Sequence, residues 1–469
     1  MAKSTRKNSS LEEKEGVEQR TQAIGRDLWT HLKRRSPSVF ERRWWLDHIL
    51  EWAMQDESVK VQMFRFVDVL PMLRTSSSVT HHLQEYFDEV RSHLPYAVRL
   101  GLDVAQPDSL LGKALALNAR TNAGKMAARF IAGTRPDEIY QTVTRLRKSG
   151  LAFTLDLLGE LVLSEPEADA YQQSYLDLLD DLAPRVESWL EDSLLDRDQA
   201  GYLPRCNVSL KLSALTSHFN PMDPAGTAKR VKARLRPLLQ RARELDAFVN
   251  IDMEQFACKD LVLQIFQDIC NEEEFRDWPN VGIVTQAYLL SAEDDLLRLR
   301  DWAEARGTPV WVRLVKGAYW DHETITADYR GWPCPVFREK WQSDRNFEKL
   351  TGILFENRDW LRPAIASHNL RSLSHAMALA EQFQMPNSAW EIQMLHGMAE
   401  ETQQLLSERG YRVRIYTPFG EMLPGMSYLV RRLLENTSNE SFLRSAYQPD
   451  ADMDRLLRNP ESEHIPSPA

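Results

Sequence analysis

The chain changes its pattern after Ser149 and Gly150. Beyond this point, short apolar segments alternate with longer stretches in which apolar residues recur at helical spacing. The segments predicted as strands are 152–159, 207–215, 247–254, 282–288, 309–316, 363–368, 391–395 and 412–417. Eight strand–helix units in succession favour a closed parallel (β/α)8 barrel of the TIM type over an open doubly wound sheet. The chain has no GxGxxG or Walker loop that would indicate a different phosphate-binding fold.

The region before the barrel reads as mostly helical. Its apolar residues recur at helical spacing, as in Phe64, Val67, Leu70 and Leu73. The sequence thus predicts an α/β protein in which a helical region precedes the barrel. The predicted parts are a disordered N-terminus at 1–25, a helical arm or domain at 26–148, the barrel at 149–448 and a loose C-terminal tail at 449–469.

Charge and cysteine content exclude several classes of protein. A formal net charge of -10 over 469 residues disfavours a nucleic-acid partner, because such surfaces concentrate Lys and Arg against phosphates. The four cysteines form no CxxC or Cys/His cluster, so neither a metal site nor a secreted disulfide framework is expected. We expect reduced thiols in a cytoplasmic protein.

Membrane contact is expected to be peripheral at most. The basic start of the chain has no apolar segment behind it, and no later run approaches the ~20 apolar residues that cross a bilayer. The stretch RRWWLDHILEWA pairs Trp with Arg, which can suit a membrane interface, although a helix that packs its tryptophans on the barrel is the favoured interpretation. The predicted location is therefore the cytoplasm, with peripheral contact at the inner face of the membrane as an open option.

Polar residues collect where the predicted strands end, which is where barrel enzymes build their sites. They are Lys211, Asp252, Gln286, Arg313 and His368. Each is costly to bury unless a partner or a ligand satisfies it. A structural ion pair explains any one of them, whereas their number at one barrel mouth favours a binding site.

A second candidate follows the last strand, in YLVRRLLEN. Tyr428, Arg431, Arg432 and Glu435 follow i, i+3, i+4, i+7 spacing and share one helical face. One interpretation is an ordinary amphipathic outer helix with a solvated face. The other is an arginine pair that binds a carboxylate, because guanidinium groups match carboxylate geometry.

The motifs SLKLSAL, IDMEQ, VTQAYL, VRLVKGAYWD, ASHN, QMLHGM and YLVRRLLEN occur in this order between residues 151 and 442. As a set they resemble the proline dehydrogenase family, particularly the barrel of the bifunctional proline utilisation proteins. The resemblance implies a distorted (β/α)8 barrel that binds FAD and oxidises L-proline to Δ1-pyrroline-5-carboxylate. It implies hydride transfer from proline C5 to flavin N5, with the electrons then passed to a membrane quinone.

The resemblance assigns roles to substrate residues. It implies that Arg431, Arg432 and Lys211 bind the proline carboxylate and that Asp252 balances this cationic cluster near the flavin. The residues that it places around the proline ring are Tyr416, Tyr428, Leu395 and Ala318. Lys211, Asp252 and Tyr416 are the predicted catalytic residues, although the sequence identifies no general base, and water or Tyr416 is a guess.

The resemblance also assigns flavin contacts. Arg313 would lie near N5, Gln286 at the pyrimidine edge of the ring, and Lys316 towards the pyrophosphate. The remaining predicted cofactor residues are Asp252, Gly317, Trp320, His368, Asn369 and Glu435. For Trp320, packing within an aromatic loop competes with stacking on adenine.

The chain departs from the family pattern at VFREKWQSDRNF, where Arg338 and Ser343 occupy positions expected to be threonine. No downstream aldehyde dehydrogenase half follows, so a separate or fused pyrroline-5-carboxylate dehydrogenase is the expected partner. Two alternatives stay open at this stage: a related barrel flavoenzyme acting on another cyclic amine or a folate, and a non-catalytic binding module on the same fold.

Overall fold

The computed structural model describes residues 2–35, 56–69, 75–94, 130–159, 162–421 and 453–464, with a few isolated positions between 72 and 117. At its centre eight parallel strands form a closed barrel. These strands are β1 Ala152–Leu157, β2 Asn207–Leu210, β3 Phe248–Ile251, β4 Val281–Gln286, β5 Val310–Val315, β6 Leu361–Ala366, β7 Glu391–Leu395 and β8 Val413–Phe419. The predicted (β/α)8 barrel is therefore confirmed, and each predicted segment overlaps one strand.

The barrel closes between its first and last strands. β1 pairs with β8 from Ala152↔Arg414 to Leu157↔Phe419, and with β2 at Leu155↔Val208. β2 and β3 end several residues earlier than predicted, at Leu210 and Ile251, because the chain turns there into a 3-10 helix (Leu212–Leu215) and a loop. Lys211 and Asp252 consequently lie just beyond the carboxyl ends of β2 and β3.

Helices cover the barrel and precede it. They are α1 Ala2–Arg35, α2 Glu57–Val69, α3 Ser76–Asp88, α4 Pro136–Lys148, α5 Glu165–Glu187, α6 Ser193–Asp196, α7 Pro224–Glu244, α8 Phe256–Cys270, α9 Ala292–Arg306, α10 Trp320–Arg330, α11 Lys340–Glu356, α12 Leu370–Gln382, α13 Glu400–Glu408 and α14 Met453–Leu456. The helical region predicted before the barrel is confirmed where the structure describes it. Among the described helices, none combines the length and apolarity needed to cross a bilayer. The stretch RRWWLDHILEWA lies outside the described residues.

The predicted disordered end at 1–25 is wrong, because α1 includes these residues from Ala2 onward. Ile24, Leu28, Trp29 and Leu32 are buried in the main core, where they form an apolar stripe at helical spacing. The polar composition of the first sixteen residues led to the prediction of disorder. The helix is held by tertiary packing rather than by its own propensity.

The predicted loose tail is also wrong for residues 453–464. Leu457 is fully buried, and it packs so closely on α1 that a Cβ added to Gly25 would lie 2.5 Å from its Cδ2 atom. Gln22 Nε2 donates a 2.5 Å hydrogen bond to the Leu457 carbonyl. The two ends of the described chain therefore pack side by side, and residues 465–469 lie outside the described part.

Arg371 on α12 connects these terminal segments. Its buried guanidinium donates to Glu18 of α1 at 2.6 and 2.7 Å and to Glu348 of α11 at 2.7 and 3.0 Å. It also donates to the Leu457 carbonyl at 3.2 Å. One buried cation therefore joins three helices and the C-terminal segment.

Candidate active site

Polar side chains fill the interior of the barrel at its carboxyl end. Successive side chains of a strand alternate between the two faces of a sheet, so residues two apart share the barrel interior. Arg313 on β5 hydrogen-bonds to Ser209 on β2 and to Gln393 on β7, across the barrel. These contacts identify the inward-facing set and place it at one level of the barrel.

Arg313 lies at the centre of this set. Its Nε donates to Gln393 Oε1 at 2.5 Å, Nη1 to Asp252 Oδ1 at 2.6 Å and Nη2 to Ser209 Oγ at 2.8 Å. Its guanidinium carbon also lies 5.1 Å from the centroid of the Tyr416 ring. Contacts with four different parts of the barrel fix the guanidinium, which is a rigid planar group with five donors.

Asp252 joins Arg313 to the other predicted catalytic residues. Its Oδ2 atom accepts a 2.7 Å hydrogen bond from the Tyr416 hydroxyl and lies 3.6 Å from Lys211 Nζ. Lys211 Nζ in turn donates to both carboxylate oxygens of Asp156 at 3.0 Å. Lys211, Asp252, Tyr416 and Arg313, predicted separately from four motifs, thus form one connected cluster.

The cluster holds two cations, Lys211 and Arg313, against two carboxylates, Asp156 and Asp252, and all four side chains are buried. Buried charges require this kind of pairing. Burial, with Asp156 and Asp252 nearby, raises the pKa of Tyr416 well above its usual value. The Tyr416 hydroxyl therefore stays protonated near neutral pH and acts as a hydrogen-bond donor to Asp252.

The predicted flavin residues on β4 and β5 lie beside this cluster. The Oε1 atom of buried Gln286 has no hydrogen-bond partner. Gly317 has φ +137°, and a Cβ there would lie 2.4 Å from the Tyr288 ring, so only glycine fits. Lys316 forms an ion pair with Asp344, and burial lowers the pKa of the Lys316 ammonium. An unsatisfied amide oxygen, a close backbone approach and a cation fit a flat ring with polar edges and a phosphate tail.

The other predicted residues lie around the same mouth. His368 follows β6, and its Nε2 accepts a 3.0 Å hydrogen bond from the backbone N–H of Leu395, which ends β7. Asn369 caps α12 by accepting from Ser372 N at 3.0 Å. Trp320 is 41% exposed and donates its indole N–H to the Phe337 carbonyl at 2.8 Å, a contact compatible with packing or with stacking. Ala318 is exposed nearby.

The predicted carboxylate-binding helix cannot be placed. Tyr428, Arg431, Arg432 and Glu435 lie outside the described residues. Their roles stay predictions that rest on the resemblance.

The departure from the family motif has a local structural explanation. Arg338 Nη2 forms a 2.6 Å ion pair with Asp328 of α10, and Ser343 is buried within α11. Arg338, which precedes α11, therefore contacts α10 through an exposed ion pair, and no described partner directs it towards the barrel mouth.

Sequence analysis missed three members of the cluster. Asp156 lies one residue before the end of β1 and binds Lys211, whereas Ser209 and Gln393 lie two residues before Lys211 and Leu395. The alternation of side chains along a strand could have predicted Ser209 and Gln393, since residues at i and i+2 of a strand face the same side. Asp156 was the one charged residue in an otherwise apolar segment, which is itself a signal.

His396, just beyond β7, gives a pH prediction. Burial, with Arg145 nearby, lowers its pKa from 6.5 to about 4 in the folded chain. Between pH 6.5 and about pH 4, His396 binds a proton more readily in the unfolded state than in the folded state. The free energy of unfolding should therefore fall as the pH drops through this range. When the pH is lowered from about 7.5 to about 4.5, the native protein should lose about 1–2 kcal/mol more of its free energy of unfolding than the His396→Asn variant loses.

Urea unfolding of both proteins at the two pH values measures this difference. His218→Asn is the matched control, because the His218 side chain is 76% exposed and loses little solvent contact on folding. Equal pH dependence in the native protein and in His396→Asn would contradict the prediction.

The fold and site define a closed β/α-barrel protein with a buried, charge-balanced cluster at the carboxyl ends of its strands. Residues 139–445 match the family model described as proline dehydrogenase. The chain belongs to the proline dehydrogenase family. Residues 18–130 match a second model, described as the proline utilization A N-terminal domain.

Individual relatives agree with this assignment. Proline dehydrogenase 2 of Bacillus subtilis is 30% identical over 325 residues, which cover 69% of this chain and 91% of that protein. The bifunctional protein PutA of Klebsiella aerogenes is 29% identical over 344 residues, which cover 72% of this chain. The present chain spans only 25% of that longer protein.

A solved structure of proline utilization A from Bdellovibrio bacteriovorus, inactivated by N-propargylglycine, resembles the chain over most of its length. The identity is 41% and the TM-score is 0.87, with 96% of this chain and 44% of that chain covered. This alignment includes the helical region as well as the barrel.

Proposed function

We propose that this chain oxidises L-proline to Δ1-pyrroline-5-carboxylate with FAD as its cofactor. Family membership supports oxidation of proline, and the observation that carries the proposal is the buried cluster of Lys211, Asp156, Asp252, Arg313 and Tyr416. A small zwitterion needs opposite charges and a polar wall within a small space, and the cluster supplies both.

At the substrate end, Lys211 would bind the carboxylate of proline. Its ammonium faces two carboxylates, Asp156 at 3.0 Å and Asp252 at 3.6 Å, which hold it in place. We infer that Arg431 and Arg432 complete this carboxylate site and that Tyr416, Tyr428, Leu395 and Ala318 surround the ring. Asp252, which neutralises the cations, would also hold the Tyr416 hydroxyl in position.

At the cofactor end, Gln286, Lys316 and Gly317 would hold FAD together with Arg313. The unpartnered Gln286 Oε1 suits an N–H of the flavin edge. Trp320, His368, Asn369 and Glu435 are the proposed contacts to the rest of the cofactor. When bound, the flavin supplies the two-electron acceptor that amino acid side chains lack.

The electron acceptor and the next enzyme extend the proposal. We infer a membrane quinone as acceptor, reached by peripheral contact with the membrane from the cytoplasm. The bifunctional relatives are longer than this chain, so a fused or separate pyrroline-5-carboxylate dehydrogenase would consume the product.

The carboxylate site can be tested with Lys211→Met. Removing this cation should raise the KM for L-proline about tenfold, because hydrogen bonds to charged groups contribute about 1.5–3 kcal/mol. Pyrrolidine, which has no carboxylate, should show a much smaller change in kcat/KM. Dye-linked turnover with both substrates measures the difference.

The double variant Asp156→Asn/Lys211→Met is the control, since it also removes the buried negative charge that Lys211 balances. An equal loss with proline and pyrrolidine in both variants would contradict a carboxylate-binding role.

A further inference from the structure

A chain of buried polar groups extends from Arg313 towards the amino-terminal end of the barrel. Gln393 Oε1 accepts from Arg313 Nε at 2.5 Å, and Gln393 Nε2 donates to Glu391 Oε1 at 2.6 Å. Glu391 is bound in turn by Arg414, whose Nε and Nη2 donate to its two oxygens at 2.9 and 3.0 Å. All four side chains are at least nine-tenths buried.

The charge on Glu391 fixes the orientation of the Gln393 amide. Burial alone would raise the pKa of Glu391, but Arg414 and Arg412 hold it below its usual value, so the carboxylate is ionised and can only accept. Gln393 must therefore present its NH2 to Glu391 and its carbonyl oxygen to Arg313. The amide therefore has one orientation, in which its carbonyl oxygen accepts the hydrogen bond from Arg313 Nε.

We propose that Gln393 is a positioning residue for the flavin: with Glu391 as its anchor, it fixes the guanidinium of Arg313 from below. Arg313 gives Nη1 to Asp252 and Nη2 to Ser209, so the Nε contact is the third point that defines the plane of the guanidinium. Without the hydrogen bond from Nε to Gln393, the guanidinium can rotate about its contacts with Asp252 and Ser209. The inference rests on the proposed function, since it assigns the role of Arg313 towards a bound flavin.

The test is the midpoint potential of the flavin in Gln393→Met. Methionine has a similar volume but neither the donor nor the acceptor of the amide. A displaced guanidinium stabilises the reduced, negatively charged ring less, so we expect a potential about 30 mV more negative, which is a tenfold change in a two-electron couple. The KM for proline should change little, whereas kcat should fall.

Two further variants separate positioning from general damage. Gln393→Glu should restore the potential, because a carboxyl group beside ionised Glu391 keeps its proton and offers one donor and one acceptor. Gln403→Leu is the matched control, since Gln403 is a buried glutamine that binds the carbonyls of Leu395 and Met398. It should leave the potential unchanged.

A native flavin potential in Gln393→Met would overturn the inference. A flavin potential in Gln393→Glu that is as negative as the one in Gln393→Met would overturn it too. If Gln393→Met does not fold, Gln393→Ala, which admits water to the two separated groups, carries the same expected shift. A native protein that binds flavin but is not reduced by proline would refute the proposed function alone, because the potential is measured without proline.

Discussion

Arg313→Met should lower kcat for proline oxidation by about 10²- to 10³-fold, the loss that follows removal of one preorganised donor from a site of developing charge. Arg313 makes three hydrogen bonds inside the barrel and lies against the Tyr416 ring, so no neighbouring group can take its place. The substitution also removes one of the two cations, Arg313 and Lys211, that lie next to Asp252. Stopped-flow measurement of flavin reduction by proline gives the rate directly.

Arg306→Met is the matched control for this change. Arg306 is also a buried arginine, but it binds the backbone carbonyls of Phe275 and Trp278, and no contact joins it to the cluster. The rate per bound flavin should be close to native in Arg306→Met. A rate in Arg313→Met that matches this control would contradict the role given to Arg313.

Arg371→Leu should reduce the free energy of unfolding by about 3–5 kcal/mol, the usual cost of removing one partner from a buried ion pair. The change leaves Glu18 and Glu348 facing each other without a cation, and it removes a donor from the Leu457 carbonyl. Both the N-terminal helix and the C-terminal segment should loosen. Urea denaturation followed by circular dichroism measures the loss, and limited proteolysis locates it.

Arg20→Leu provides the comparison. Arg20 lies on α1, the helix that carries Glu18, and pairs with Glu381 of α12, but its side chain is 53% exposed, so the loss should be about 0–1 kcal/mol. Equal losses in the two variants would contradict the account of how the terminal segments are held.

The barrel could be predicted from sequence because its signal is periodic. All eight apolar segments became strands, and β7 has the predicted bounds, Glu391–Leu395. The ends of the chain were mispredicted for a physical reason. Residues 17–25 and 453–464 have little apolar content of their own, and they are held by contacts such as those of Arg371 with Glu18 and with the Leu457 carbonyl, which are distant in sequence. Local patterns do not record such contacts.

The site was predicted in part. The resemblance to the family predicted Lys211, Asp252, Arg313 and Tyr416, and the structure shows that Asp252 contacts the other three side chains. Asp156 and Gln393 were not found, because each works through a partner on another strand and the pairing depends on the barrel register. The polarity of the Gln393 amide depends on the ionised Glu391, which a sequence pattern does not reveal.

The central claim is that this chain holds a flavin and uses it to oxidise proline. The most direct test is the absorbance spectrum of the purified protein, recorded before and after anaerobic addition of L-proline. Our account predicts flavin bands that bleach when proline is added. Bands that persist with proline, or a colourless protein that FAD does not reconstitute, would contradict it.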